Sequence, residues 1–400
     1  MPSLTSHFQR LDQLLNDTRG YWQCVAFSCE HYPWPELTTV LENLSDEQVA
    51  ELDAQPSQLI DYFSTHIDQL SQLPELTNLP ISTQAQPKAL PFWLSNGIKG
   101  RKLAQLQCFV DGLAPVQEGS TILEWCAGKG HLGRLLAHQH QVPVHSVEIQ
   151  QHLCEQGEQL ADKLNLPIHF QQGNVLTDDF SALIEQCDHA VALHACGGLH
   201  QSLLRQACQQ QTPRISISPC CYHLFIDDDY YQPMSAAAQA SSLRLTSSDL
   251  KLALQQTVTA PQRVRRVRQK EVLWRLGFDQ LVREQFKRSQ YTPVPSVGKQ
   301  IFSGEFSDFC LWAAREKGLT LPAKCDFARY LKLAEQRKRM TERIELVRHL
   351  FRRAIEVWLV LDRALYLQQH NYQVGLSEFC ETEITPRNIL IEASINSEMQ

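Results

Sequence analysis

The fold of this chain is indicated most strongly by Thr121-Ile-Leu-Glu-Trp-Cys-Ala-Gly-Lys-Gly-His-Leu-Gly133. An apolar run typical of a buried strand leads into Glu124, a turn of small residues follows, and a helical pattern begins at Leu132. A strand, a glycine-rich turn and a helix in this order are typical of the first strand–helix junction of a doubly wound sheet. Such a turn binds a nucleotide-type cofactor, and two cofactor classes fit these letters.

The first class is a dinucleotide. Gly128, Gly130 and Gly133 spell the fingerprint G-x-G-x-x-G, and Glu148 follows about 20 residues later, where an acid would bind the ribose. The pyrophosphate of a dinucleotide would lie against this turn. A carboxylate at Glu124 would then stand beside two phosphates, and like charges repel.

The second class is S-adenosylmethionine (SAM), which carries no phosphate. Glu124, Cys126, Gly128 and Gly130 fit the pattern E-x-G-x-G-x-G with cysteine in place of the first glycine, and Ala127 lies within the same turn. An acid at the end of the first strand can face the positively charged part of SAM. Glu124 therefore favours SAM over a dinucleotide.

Strands and helices alternate after residue 92. The predicted strands are Thr121–Trp125, Val144–Glu148, Ile168–Gln172, Ala190–His194, Ile215–Ser218, Tyr372–Glu378 and Asn388–Ile391. Helical connections between the first five predict right-handed crossovers and a parallel sheet. The last two lie too close for a crossover and predict an antiparallel hairpin after a long helix, Leu346–Leu367. The expected fold is α/β: a class I, Rossmann-like SAM-methyltransferase sheet, mostly parallel with a C-terminal antiparallel hairpin, plus an all-α N-terminal unit and a helical insertion.

Changes in pattern along the chain predict four segments. They are an acidic helical accessory unit with a linker (1–90), a SAM-binding core (91–225), a basic and mainly helical insertion (226–335), and the last helix and hairpin that complete the core (336–400). The linker is placed at Pro80–Pro91, which is rich in proline.

Composition narrows the class of protein. With 43% apolar residues in 400, the chain can bury a sizeable core, yet it holds no apolar run of membrane-spanning length. The N-terminus does not resemble a secretory signal, and 13 cysteines without one predict free thiols in a reducing cytoplasm.

Charge is unevenly distributed over the chain. Residues 1–90 carry a net charge of −9 and residues 263–353 carry +12, although the whole chain is at −7. The basic residues concentrate in Arg263–Lys270 and in Arg337–Arg353, where they partly share one face of a helix. Such a block suits a polyanion, so RNA is the expected partner, with neither DNA nor a membrane expected. Solvated helix faces with internal ion pairs are the alternative explanation.

Two further strand ends suit the cofactor. Glu148 ends the second strand, where its carboxylate can accept hydrogen bonds from both ribose hydroxyls, and Ile149 follows it. Asn174 and Val175 follow the third strand, where the adenine would lie. Asn174 could bind the adenine amino group, and Val175 could offer its backbone amide. A plain turn containing asparagine is the alternative.

The fourth and fifth strands end in potentially reactive side chains. These are the candidate catalytic residues His194, Cys196, Cys220, Cys221, Tyr222 and His223. The carboxyl ends of parallel strands meet at one edge, so these residues should converge near the methyl donor, and His194 is also a candidate cofactor contact.

Three interpretations of this cluster remain open. Cys196 with Cys220 or Cys221 could supply the nucleophile for cytosine C5 methylation. The cysteines and histidines could bind a metal, although adjacent Cys220 and Cys221 have poor chelate spacing, and we assign no metal ligands. His194 or His223 could be the general base for a hydroxyl acceptor. Simple packing of buried thiols is the alternative to all three.

The motifs at Glu124–Leu132, Leu193–Leu199 and Pro219–His223 together resemble one methyltransferase domain family. It occurs in bacterial proteins of unknown substrate, in the animal glutathione S-transferase C-terminal-domain-containing protein and in eukaryotic methyltransferase-like proteins. The resemblance covers about residues 95–225. A distant similarity is to the eukaryotic tRNA 2′-O-methylase of the acceptor stem, whose Cys-Cys-His-His stretch has Tyr222 here in place of its first histidine.

The resemblance implies SAM as cofactor and a methyltransferase as the class of enzyme. Together with the basic block it predicts RNA modification, with tRNA or rRNA as the acceptor. A protein or small-molecule methyltransferase is the second hypothesis, and a SAM-binding protein without catalysis is the third.

Overall fold

The structure is a computed structural model that describes residues 3–82, 90–226, 228–255 and 262–395. Most of the predicted linker at Pro80–Pro91 lies outside the described residues.

A single mixed sheet contains seven strands within these ranges. They are β1 (Ile122–Trp125), β2 (Val144–Glu148), β3 (Ile168–Gln172), β4 (His189–Cys196), β5 (Arg214–Cys220), β6 (Tyr372–Glu378) and β7 (Ile389–Ile395). The strand order is β3-β2-β1-β4-β5-β7-β6. The strands β1 to β5 pair in parallel, whereas β7 is antiparallel to both β5 and β6. The predicted class I, mostly parallel sheet with a terminal antiparallel hairpin is therefore confirmed.

Helices account for most of the remaining described chain. They are α1 (Leu4–Asp17), α2 (Arg19–Trp22), α3 (Pro35–Asn43), α4 (Asp46–Ala54), α5 (Pro56–Phe63), α6 (Leu73–Thr77), α7 (Phe92–Ser95), α8 (Gly100–Gly112), α9 (His131–His140), α10 (Gln151–Lys163), α11 (Ser181–Glu185), α12 (Gly198–Gln209), α13 (Ala236–Gln239), α14 (Ser247–Leu252), α15 (Gln262–Phe286), α16 (Phe306–Glu316), α17 (Phe327–His349) and α18 (Arg352–Gln369). The predicted helix Leu346–Leu367 is in fact two helices, because the chain turns at Leu350 and Phe351 between α17 and α18. No described helix is long and apolar enough to cross a membrane.

The chain forms two compact units whose boundaries differ from the predicted segments. The first unit comprises Met1–Asp17, Gln72–Val258 and Arg352–Gln400, and the second comprises Thr18–Ser71 and Thr259–Phe351. The helices of residues 1–90 are thus divided between the units. Helix α1 belongs with the sheet because its apolar face packs on α18, where the ring of Phe8 lies 5.4 Å from that of Trp358.

The first unit places Glu124 beneath the turn after β1 rather than at its surface. Glu124 is 3% exposed, and its carboxylate accepts a hydrogen bond from Ser146 Oγ at 2.7 Å. A Cβ at Gly133 would lie 2.5 Å from the same carboxylate, so only glycine lets α9 approach β1 this closely. Burial raises the pKa of Glu124 to about 7, although Ser146, the Gly133 amide and the cations Arg134 and Lys102 oppose this shift. The predicted direct contact of Glu124 with a cofactor stays a prediction, and the structure shows its carboxylate bonded to Ser146 below the turn.

The second unit uses much of the predicted basic face internally. The guanidinium of Arg337 donates to Asp279, which is fully buried, and to the Phe27 carbonyl. Arg343 donates to the carbonyls of Leu41 and Leu44 at 2.9 and 2.5 Å. These guanidinium groups provide hydrogen-bond donors for backbone carbonyls of the second unit. An unpaired buried carbonyl would cost stability.

Other arginines predicted to bind phosphate are engaged in the same way. Arg348, in the second unit, donates to the Trp22 carbonyl and to Glu345. In the first unit Arg352 is buried, and Arg353 pairs with Glu356 and Glu378. The predicted phosphate-binding face of Arg337–Arg353 was therefore wrong for these residues, whose charges hold the fold together.

Replacing Arg337 should test this structural role. The variant Arg337→Met leaves the buried Asp279 carboxylate with Arg283 as its remaining cation, and breaking a buried pair typically costs about 3–5 kcal/mol. We expect a loss of that order in the free energy of unfolding, measured by urea denaturation. The exposed Arg266→Met is the control and should change stability by less than about 0.5 kcal/mol. Equal effects of the two substitutions would contradict the internal role.

Replacing Glu124 should change how stability depends on pH. Because burial raises the pKa of Glu124 to about 7, the native state keeps this proton after the unfolded chain has lost it. The stability that it contributes is complete below about pH 4.5 and is lost as pH rises through about 7. Relative to the wild type, Glu124→Gln should gain about 1.4 kcal/mol per pH unit across that window.

The measurement is urea unfolding of both proteins at a series of pH values. Glu118→Gln, at an exposed carboxyl, is the matched control and should track the wild type at every pH. A pH-independent difference between Glu124→Gln and the wild type would show that this carboxyl keeps an ordinary pKa in the native state.

Candidate functional site

The turn between β1 and α9 has an unusual backbone. Cys126, Gly128 and Gly130 all have positive φ, at 59°, 61° and 64°. A left-handed conformation costs a residue with a side chain about 1–2 kcal/mol, so Cys126 is strained where the sequence pattern has glycine. Because every second residue from Cys126 to Gly130 is in the left-handed region, the backbone of the turn is neither helical nor extended.

The two glycines of this turn have different surroundings. A Cβ at Gly128 would meet nothing within 4 Å, whereas one at Gly130 would lie 2.5 Å from the ring of Phe170. Open space at Gly128 permits the close approach of a ligand, and Gly130 is required by packing against β3. The predicted cofactor contact at Gly128 stays a prediction, whereas Gly130 packs against Phe170 on β3.

Glu148 joins the end of β2 to this turn. One oxygen of its carboxylate accepts the Gly128 amide at 2.9 Å, and the other accepts the Gln150 amide at 3.0 Å. A carboxylate has about four acceptor positions, so two remain after these bonds. Glu148 thus holds the turn and can still accept two hydroxyl groups, as predicted for a ribose. Next to it Ile149 is 54% exposed, which suits the flat face of a base.

The end of β3 matches the plain-turn alternative. The side-chain oxygen of Asn174 accepts the Leu176 amide at 3.1 Å, and the Asn174 amide donates to Asp178 at 2.8 Å. This is an Asx-turn, in which the asparagine side chain is used locally. Val175 is buried, and its carbonyl accepts the Ser202 hydroxyl. The predicted roles of Asn174 and Val175 toward an adenine remain predictions.

A bulge near the end of β4 determines where His194 and Cys196 lie. Leu193 pairs with Ser218 and Cys196 pairs with Cys220, so β4 carries one extra residue. His194 lies in this bulge with φ of 72°, and its ring is exposed. Its Nε2 lies 3.1 Å from Gln105 Oε1 on α8 and can donate to it, which leaves Nδ1 as the acceptor. Bulges often re-aim side chains next to functional sites.

Loss of hydration and the nearby charge of Lys102 lower the pKa of His194. The ring is therefore neutral at neutral pH and able to take up a proton. Gln105 and Lys102 were not predicted from the sequence, since they lie on a helix before the glycine-rich turn. Their spacing of three residues, which places both on one helix face, was the available signal.

Three thiols meet where β4 and β5 end. The sulfur atoms of Cys196, Cys220 and Cys221 all lie within 4.8 Å of one another, and those of Cys196 and Cys220 are 3.5 Å apart. Hydrogen bonds from the other two thiols, with His223 and Arg387 nearby, lower the pKa of Cys221. The pKa of Cys196 is raised to about 11 and that of Cys220 is raised as well. Of the three thiols, Cys221 is the one whose pKa is lowered.

Tyr222 does not reach this edge. Its side chain is fully buried, with the guanidinium of Arg363 5.1 Å from the ring centre and His200 against its edge. Because it is inaccessible even without a ligand, the predicted catalytic role of Tyr222 was wrong. His223 is half-buried, and its Nδ1 has no hydrogen-bond partner among the described residues. Burial lowers the pKa of His223, so it too is neutral at neutral pH.

The structure brings most of the predicted site residues to the carboxyl edge of one sheet. Glu148 and the turn at Cys126–Gly130 are directly linked, as are the three thiols to one another. The edge combines a turn with room for a ligand, a carboxylate with spare acceptors, and two neutral imidazoles. Such an arrangement can bind a polar cofactor and accept a proton from a second molecule.

Known proteins resemble the part of the chain that carries this edge. Residues 100–227 match the family of methyltransferase domains. Over 128 residues the chain is 31% identical to the glutathione S-transferase C-terminal domain-containing protein of Xenopus laevis, a match that covers 31% of this chain and 19% of that protein. The chain thus spans about a fifth of the length of this curated relative.

Several solved methyltransferase structures are similar to a part of this chain. Geranyl diphosphate methyltransferase in complex with GPP and sinefungin is 18% identical, with a TM-score of 0.26, over 29% of this chain and 44% of that one. An RNA methyltransferase from Salinibacter ruber in complex with S-adenosyl-L-homocysteine is 15% identical, with a TM-score of 0.24, over 36% and 86%. The Pyrococcus abyssi tRNA (uracil-54, C5)-methyltransferase is 16% identical, with a TM-score of 0.22, over 26% and 25%.

TM-scores of 0.22 to 0.26 give no argument about the substrate of this chain. The match to the family of methyltransferase domains confirms the resemblance seen in the sequence. Residues 100–227 match a family of methyltransferase domains.

Proposed function

We propose that this protein is a SAM-dependent methyltransferase whose cofactor binds at the carboxyl edge formed by β1, β2 and β4. The position of Glu148 is the main support for this proposal. Its carboxylate holds the Gly128 amide, and it keeps two acceptor positions for the ribose hydroxyls of SAM. The match of residues 100–227 to methyltransferase domains supports the same conclusion.

The residues at this edge fit SAM. Gly128 has open space where the amino acid part of the cofactor would approach, and Ile149 is exposed where the adenine would pack. The Glu148 carboxylate, which accepts the Gly128 amide, would repel a pyrophosphate. Bound SAM supplies an electrophilic methyl group on a sulfonium.

The protein then has to position an acceptor and remove its proton. His194 is neutral at neutral pH, exposed, and oriented by Gln105, so that its free ring nitrogen can accept a proton from a hydroxyl or amine. Positioning the acceptor in line with the sulfonium lowers the barrier further, because it removes the entropic cost of bringing two reactants together. The nucleophilic alternative would use Cys221, because its pKa is lowered whereas that of Cys196 is raised.

RNA is the acceptor that we propose, with a smaller basic surface than the sequence predicted. Arg263, Arg266 and Arg268 on α15 are exposed, and no ion pair of theirs is found in the described chain. Three free guanidinium groups within two turns suit a phosphate backbone. The buried arginines of α17 take no part in this surface.

Protein or small-molecule methylation and SAM binding without catalysis are the competing hypotheses. Incubation with radiolabelled SAM, total RNA and protein lysate separates them. Label in RNA supports the proposal. Label in protein or small molecules alone, or no label despite tight SAM binding, would favour one of the other two.

Removing the Glu148 carboxylate should weaken SAM binding. Losing hydrogen bonds to a charged acceptor costs about 1.5–3 kcal/mol, so Glu148→Ala should raise the dissociation constant for SAM by about 10-fold or more. Isothermal titration calorimetry measures it. Glu155→Ala, which removes an exposed carboxyl on α10, is the matched control. An unchanged dissociation constant in Glu148→Ala would refute the ribose role.

Removing the exposed arginines of α15 should change the salt dependence of RNA binding. Each phosphate contact contributes about 0.7–0.9 to the slope of log affinity against log salt concentration. The variant Arg263→Gln, Arg266→Gln, Arg268→Gln should therefore reduce that slope by about 2 in a filter-binding titration. Lys163→Gln, at an exposed lysine on α10, should leave the slope unchanged. If the triple variant keeps the wild-type slope, α15 does not contact RNA.

A further inference from the structure

The three-thiol cluster of Cys196, Cys220 and Cys221 is not explained by methyl transfer alone. Two of its members are adjacent in sequence, and adjacent side chains on a regular strand point to opposite faces. A pair of this kind cannot normally chelate one ion. The structure nevertheless brings all three sulfur atoms within 4.8 Å of one another.

Two separate irregularities of the backbone produce this convergence. Cys221 has φ of 44°, in the left-handed region, so the chain reverses its direction directly after Cys220 at the end of β5. The bulge in β4 adds one residue between Leu193 and Cys196 and realigns Cys196 with Cys220. Each irregularity costs about 1–3 kcal/mol, and such strain is typically retained where function requires it.

The segment after the thiols is also fixed tightly against the sheet. The Gly197 amide donates to the Cys220 carbonyl at 3.0 Å, and the Leu224 amide donates to the Cys221 carbonyl at 2.9 Å. A Cβ at Gly197 would lie 1.9 Å from the Leu224 carbonyl oxygen, so only glycine allows this approach. The positions of the thiols are therefore set by the backbone on both strands rather than by side-chain flexibility.

The spacing of the sulfur atoms suits a thiophilic cation. Zn²⁺ binds cysteine sulfur at about 2.3 Å, and tetrahedral geometry then separates two sulfur ligands by about 3.8 Å. The sulfur atoms of Cys196 and Cys220 are 3.5 Å apart, close to this value, and the limit of 4.8 Å on all three pairs includes it. The positive side chain of Arg387 near Cys221 would balance the excess negative charge of three thiolates around a divalent ion.

We infer that Cys196, Cys220 and Cys221 form a three-thiolate site for Zn²⁺. Cys220 is buried, whereas Cys196 and Cys221 are half-buried, so one side of the site is open. Structural zinc sites have four protein ligands, whereas sites that act on a substrate keep a position free. The inferred site is of the second kind. It does not depend on the proposed methyl transfer, since it follows from the geometry of the thiols.

Metal binding by the full-length protein tests the inference. We expect one zinc per chain by elemental analysis after purification under reducing conditions, and Co²⁺ replacing it should give the intense thiolate-to-cobalt charge-transfer absorption. Loss of one thiolate ligand should weaken Zn²⁺ binding by more than about 100-fold in each of Cys196→Ser, Cys220→Ser and Cys221→Ser. A chelator competition titration measures these affinities.

Controls keep the outcome interpretable. Cys108→Ser removes a half-buried thiol outside the cluster and should bind Zn²⁺ as the wild type does. Circular dichroism identifies a variant that fails to fold, and Zn²⁺-dependent protection of the three thiols from alkylation in the wild-type protein is a readout that needs no variant. Equal zinc affinity in all four variants, no protection of the thiols, or a disulfide between Cys196 and Cys220 under reducing conditions would overturn the inference.

Discussion

Parallel pairing of β1, β2, β4 and β5 brings their carboxyl ends to one edge of the sheet, and the whole candidate site depends on this constraint. The turn after β1, the carboxylate that ends β2 and the thiols that end β4 and β5 are distant in sequence. They become neighbours because every strand of this set points the same way. The hydrogen bond from the Gly128 amide to Glu148 then links the first two ends directly.

Strained residues at this edge of the sheet lie above a layer of buried contacts. Cys126, His194 and Cys221 all have positive φ, which costs residues with side chains some stability. Beneath them lie rigid contacts, including Glu124 with Ser146 and the close approach of Gly133 to β1. Buried layers of this kind allow exposed residues to be held in conformations that they would not adopt alone.

The arginines show why charge alone predicts a partner poorly. A guanidinium can donate up to five hydrogen bonds, so it serves equally well to bind phosphate or to complete buried backbone carbonyls. Arg337 and Arg343 do the latter, whereas Arg263 and Arg266 remain exposed on α15. Sequence cannot separate these uses, because burial depends on which helices pack together.

The alternation of strands and helices, the terminal hairpin and the glycine-rich turn could all be predicted from the sequence, because periodicity and turn chemistry are local properties. It also predicted Glu148 and the cysteines as site residues from their places at strand ends. The position of Glu124 below the turn, the burial of Tyr222, and the bulge and left-handed residue that bring three thiols together became visible only in the folded chain. These outcomes depend on contacts between strands far apart in the chain, and no local pattern encodes them.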